Sequence, residues 1–166
     1  MDVIDNLASR LGAALQAAGA QVTTAESCTG GGIAEAITRI PGSSAWFEAG
    51  FVTYSNRQKT AQLDVPAALF EQVGAVSEEV VMAMARGAQR RANARFAVAV
   101  SGIAGPGGAV PSKPVGTVWL AWADGEKLRT ERQVFAGDRA AVRLQTQVRA
   151  LEVLLALLGE EKASQV

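Results

Sequence analysis

Ser27 and Cys28 are adjacent nucleophiles in Glu26-Ser27-Cys28-Thr29-Gly30-Gly31-Gly32, between a β-rich stretch and a helical pattern. A hydroxyl or thiol at such a junction lies close to the unpaired N–H groups of a helix N-terminus, which suit an oxyanion or a phosphate. What can activate it is limited by one count: the 166 residues include no histidine. Ser-His-Asp and Cys-His catalysis and His-ligated zinc are therefore excluded. Acid–base chemistry falls to Lys, Tyr, Asp, Glu or Cys. Tyr54-Ser55-Asn56-Arg57-Gln58-Lys59 brings a phenol and an amine close in sequence. Their spacing is not that of one helix face, so both reach one site only if Tyr54 ends a strand and Lys59 belongs to the following turn. Both segments also have a plain structural reading. Ser27 or Thr29 could simply cap the helix, with the glycines allowing tight packing, while Lys59 is solvated and Tyr54 is a half-buried strand residue.

A third loop, Ser101-Gly102-Ile103-Ala104-Gly105-Pro106-Gly107-Gly108, matches neither Gly-x-x-x-x-Gly-Lys-Ser/Thr nor Gly-x-Gly-x-x-Gly. It reads as a pocket wall made of backbone, or as a tight bend, and its glycines and proline are expected to keep it out of regular structure. Ser101 is a rival nucleophile with no base nearby in sequence. Lys113, Arg139 and Arg143 stand beside turns or a helix start, where each could hold a substrate phosphate or be surface charge. Glu26 and Asp138 could bind Mg²⁺, yet no carboxylate cluster supports a metal cage, and neither a metal nor any other cofactor is expected.

The elements that must position these residues follow from periodicity. Leu7, Leu11, Ala14, Leu15 and Ala18 predict a helix closed by Gly19; 21–25 predicts a strand, and Ile33, Ala36, Ile37 and Ile40 a second helix. Pro41-Gly42-Ser43-Ser44 is a turn, 49–54 a strand and 58–63 a short helix. Ser77 caps a helix to about Asn93, and 95–100 is a buried strand. The segments 115–123 and 127–135 form a hairpin through Asp124-Gly125, and Asp138 caps a last helix with Val142, Val148, Leu151, Leu155 and Leu158 inward. Together they predict one α/β domain over 1–166, a three-layer α/β/α sandwich with a mixed sheet. The strand-to-helix loops at 26–32, 54–59 and 101–108 fall where such sheets collect ligands.

Composition narrows the function classes. Sixteen basic and sixteen acidic residues give zero formal charge, so nucleic-acid binding has little global support. The apolar run from Val153 to Leu158 is far short of a bilayer span, the first residues lack a basic leader, and the lone Cys28 excludes an intrachain disulfide. A cytoplasmic protein without membrane attachment is expected.

Three blocks in order carry a resemblance: Thr24-Ala25-Glu26-Ser27-Cys28-Thr29-Gly30-Gly31; Gly50-Phe51-Val52-Thr53-Tyr54-Ser55-Asn56 with Lys59; and Ser101-Gly102-Ile103-Ala104-Gly105-Pro106-Gly107 followed by Lys113-Pro114-Val115-Gly116-Thr117-Val118. With Gly42-Ser43-Ser44-Ala45-Trp46-Phe47 and Gly74-Ala75-Val76-Ser77, the sequence resembles the CinA C-terminal domain family over nearly its whole length. The resemblance implies hydrolysis of the carboxamide of nicotinamide mononucleotide to nicotinate mononucleotide and ammonia, in pyridine-nucleotide salvage. It also implies a serine nucleophile at Ser27, assisted by Tyr54 and Lys59. No pyrophosphatase activity is expected, because the nucleotide-hydrolase-like domain of longer family members is not in the sequence. Substrate contacts are then expected from Cys28, Thr29, Gly30, Gly31, Gly102 and Gly105, with Lys113, Arg139 or Arg143 on the phosphate. A homo-oligomer is compatible with the sequence. The competing classes are a thiol amidase using Cys28 and a non-catalytic module that binds a nucleotide or recruits a partner.

Overall fold

The computed structural model describes residues 2–164, with side chains to 159; Met1, Gln165 and Val166 of the expected domain lie outside the described residues. In chain order the elements are α1 (Val3–Ala18), β1 (Val22–Glu26), α2 (Gly32–Thr38), β2 (Phe47–Val52), α3 (Asn56–Leu63), α4 (Ala68–Gln72), α5 (Glu78–Ala92), β3 (Phe96–Gly102), β4 (Thr117–Asp124), β5 (Lys127–Val134) and α6 (Arg139–Ser164). A 3₁₀ turn, Ser43–Ala45, fills the expected turn region. Helix α4 has no counterpart in the periodicity reading, since its five residues are too few to show one.

The five strands form one mixed sheet in the order β2-β1-β3-β4-β5. β1 is parallel to both neighbours, pairing Glu26 with Val52 on one side and with Val100 on the other. β3–β4 and β4–β5 are antiparallel, as the hairpin signal requires. The chain leaves β1 through α2 toward one side and returns through α3, α4 and α5 to the other. Right-handed crossovers in opposite directions place these helices on opposite faces. The carboxyl ends of β1 and β3 thereby become the point where strand order reverses, the usual ligand crevice of such sheets.

Two apolar layers hold the sandwich together. Leu11, Leu15, Ile33, Val98, Val100, Leu120, Trp122, Leu151 and Leu154 pack α1, α2 and α6 on one face. Ala25, Leu63, Val80, Val81, Met84, Ala97, Ala99 and Ala121 pack α3 and α5 on the other. Gly87 of α5 fixes the approach of α3, because a Cβ there would overlap the carbonyl of Leu63. Helix ends are set locally: Asp2, Ser77 and Asp138 cap α1, α5 and α6 through side-chain oxygens, and Gly19 and Asn93 close α1 and α5 in the left-handed region. Asp138 is thus a helix cap. No helix among the described residues is long and apolar enough to cross a membrane.

Candidate active site

Ser27 follows the last residue of β1 and continues its ladder, its N–H donating to the Val100 carbonyl at 3.2 Å. The loop behind it is held by Glu26, a fully buried carboxylate. Oε1 accepts from Thr29 Oγ1 at 2.5 Å and from the Ile33 N–H at 2.8 Å, and Oε2 accepts from the Ala34 N–H at 3.0 Å. Glu26 therefore caps α2 across seven residues of chain, and its charge faces the positive end of that helix. This corrects three expectations: neither Ser27 nor Thr29 caps the helix, Glu26 is a cap, and the first N–H groups of α2 are occupied. Gly31, at φ 103°, makes the turn that brings α2 over the carboxylate. Among the described residues no other residue's backbone accepts from the N–H groups of Cys28 and Thr29; Cys28 lies at the pocket, whereas Thr29 is fully buried.

Lys59 lies in the first turn of α3, which Ser55 starts by accepting from the Gln58 N–H. The helix begins two residues before the expected position. Its amine is not solvated: Lys59 is 1% exposed, and Nζ donates to Ser27 Oγ at 2.9 Å and to the Tyr54 carbonyl at 3.2 Å. Burial without a carboxylate partner lowers its pKa from 10.5 to about 8. Burial acts oppositely on the adjacent thiol, pushing Cys28 up to about 11, with the Glu26 charge adding to the rise.

Tyr54 departs from expectation. Its main-chain oxygen, not its phenol, meets the amine, and the 59% exposed side chain accepts a 2.7 Å hydrogen bond from Arg139. Arg139 also donates to the Gly105 carbonyl at 3.0 Å, tying the second loop to the third. The other two cations lie elsewhere. Lys113 donates to the Val73 carbonyl at 2.6 Å, and Arg143 lies over Gly30 and donates to the Thr29 carbonyl at 3.3 Å.

A pocket of about 220 Å³ opens onto this cluster, lined by Ser27, Cys28, Tyr54, Asn56, Lys59, Ala75, Val76, Ser101, Gly102, Ala104 and Arg139. The third loop is part strand: β3 runs through Ser101 and Gly102, against the expectation of irregular structure from residue 101. Gly102 is required by packing, since a Cβ would fall 2.6 Å from the Val118 side chain, and Gly105 has φ 83°. Of the residues expected to bind substrate, Cys28, Gly102 and Arg139 line the pocket, whereas Thr29, Gly30, Gly31, Gly105, Lys113 and Arg143 do not. Sequence reasoning missed Glu26 as the loop's anchor, and Asn56, Ala75 and Val76 as lining. An acid at the buried end of a strand, seven residues before a helical apolar residue, was the available signal for Glu26.

This geometry is reached by a chain whose residues 4–158 match the model of the CinA C-terminal domain. The chain belongs to the CinA C-terminal domain family. Within the family, the nicotinamide-nucleotide amidohydrolase PncC of Pseudomonas putida is 70% identical over 95% of this chain and 98% of its own length. The protein of the same name from Escherichia coli K12 is 56% identical over 89% of this chain and 90% of its own. Among solved structures, the competence/damage-inducible protein CihA of Agrobacterium tumefaciens superposes with a TM-score of 0.92 at 45% identity, covering 95% of this chain and 96% of that one.

Proposed function

We propose that this CinA-family chain hydrolyses the carboxamide of nicotinamide mononucleotide to nicotinate mononucleotide and ammonia through an acyl-enzyme on Ser27. The observation that carries this reading is the desolvated Lys59 amine on the Ser27 hydroxyl; the high identity to named nicotinamide-nucleotide amidohydrolases supplies the substrate. A lysine with a pKa of about 8 is partly neutral near pH 7.5 and can take a proton. When Lys59 is neutral, the Tyr54 carbonyl holds one of its N–H groups, and the nitrogen lone pair can take the place of the N–H on Ser27, so that Ser27 becomes the donor.

Ser27 Oγ attacks the amide carbon as its proton passes to Lys59, and the oxyanion meets the Cys28 N–H. Lys59 then returns the proton to the amide nitrogen, the C–N bond breaks, and ammonia leaves. Water, deprotonated by the same amine, cleaves the ester. A thiol held near 11 carries almost no thiolate at neutral pH, which favours Ser27 over Cys28 as nucleophile. Ligand pockets commonly span about 300–1,000 Å³. At about 220 Å³ this one takes the pyridine ring and its amide, leaving ribose and phosphate at the mouth beside Arg139.

Incubation with nicotinamide mononucleotide, with ammonia assayed and the product identified by mass, tests the reading. Equimolar ammonia and nicotinate mononucleotide are expected. Binding without either product would make the chain a nucleotide-binding module.

A further inference from the structure

Ser101 is 2% exposed, lines the pocket, and has no hydrogen-bond partner among the described residues. Its side of the sheet is fixed by alternation. Ala97 and Ala99 of β3 pack on the α5 face, as does Ala25 of β1, whereas Val98 and Val100 pack on the other. Ser101 therefore points to the α5 face, and so does Ser27, where α3 delivers Lys59. The register Glu26 to Val100, continued by the Ser27 N–H on the Val100 carbonyl, sets Ser27 and Ser101 side by side on neighbouring strands. Such strands run about 4.8 Å apart. A hydroxyl on the pocket wall that no protein group engages is free to hydrogen-bond with what enters the pocket.

We propose that Ser101 holds the nitrogen of the scissile carboxamide and makes the site selective for amides over esters. This rests on the amidohydrolase reading above. With the amide oxygen on the Cys28 N–H of the β1–α2 loop, its NH₂ is directed away from that loop, toward β3. Ser101 Oγ accepts one N–H there, turning the nitrogen lone pair toward protonated Lys59. Attack forms the Ser27 Oγ–carbon bond and moves the Ser27 proton to Lys59. Collapse moves that proton from Lys59 to nitrogen, breaks the C–N bond and releases ammonia. An ester leaving group has no N–H for Ser101 to accept and is expelled with far less dependence on protonation.

The test compares wild type, Ser101→Ala and Ser27→Ala on nicotinamide mononucleotide and on the methyl ester of nicotinate mononucleotide, with unfolding midpoints measured in parallel. For Ser101→Ala the expected result is a loss of about tenfold or more in kcat/KM on the amide, the worth of one transition-state hydrogen bond. Its ester rate should stay near wild type and its unfolding midpoint should be unchanged. Ser27→Ala should lose both activities. Equal losses on amide and ester, or no loss on either, would overturn the role of Ser101 while leaving the Ser27 mechanism standing. Ser27→Ala retaining both activities would overturn the mechanism, and the role of Ser101 with it.

Discussion

Lys59 Nζ lies 2.9 Å from Ser27 Oγ across 32 residues of sequence, inside a wall where Ser27 is 8% and Lys59 1% exposed. A buried amine with no carboxylate partner is destabilising unless it is neutral, and a neutral amine is what a serine needs as its base. For the wild-type enzyme kcat/KM should therefore rise with pH through about 8 and level off above it. A profile flat between pH 6 and 10 would remove lysine as the base.

The same burial has a stability sign. The folded pKa of about 8 lies below the ordinary 10.5, so between these values the unfolded chain binds a proton that the folded chain lacks. Unfolding free energy should rise with pH across that window, and below it the folded state carries the full penalty, of order 3 kcal/mol. Lys59→Met should consequently be more stable than wild type at pH 7 while losing 10²-fold or more in turnover, roughly the value of general-base catalysis. Urea unfolding at pH 7 and an ammonia assay on one sample check both.

Glu26→Gln should damage the loop. A glutamine offers one acceptor oxygen where three donors converge, and its NH₂ faces an N–H or a hydroxyl. A loss of about 2–4 kcal/mol is expected from urea unfolding. The surviving turnover should be reduced while the midpoint of its pH profile stays at the wild-type value, because the base is untouched.

Tyr54→Phe should be mild, within about tenfold in kcat, since the group that accepts from Lys59 is main chain. Arg139→Ala removes the cation at the pocket mouth and should raise KM for the mononucleotide more than for the phosphate-free riboside. Equal effects on both substrates would place the phosphate elsewhere.

Legibility in the sequence tracked how local each signal is. The hairpin, the Gly19 and Asn93 helix ends and the Ser77 and Asp138 caps involve neighbours within a few residues, and all are in the structure. The three loops gather because strand order reverses beside β1, an order that the alternation of strands and helices does not by itself dictate. The role of Glu26 was hidden because its partners lie up to eight residues on, past a glycine turn whose geometry no periodicity reports. That the Tyr54 carbonyl rather than its phenol meets Lys59 was hidden too. Side-chain spacing describes side chains, and the group that accepts from Lys59 is backbone.

The Ser27–Lys59 mechanism is tested most directly by ammonia release from nicotinamide mononucleotide by Ser27→Ala and Cys28→Ala, each confirmed folded by circular dichroism. Ser27→Ala should release none, and Cys28→Ala should retain most of the wild-type rate because its backbone N–H is unchanged. Turnover by Ser27→Ala with a dead Cys28→Ala would transfer the nucleophile to the thiol and contradict the serine mechanism outright.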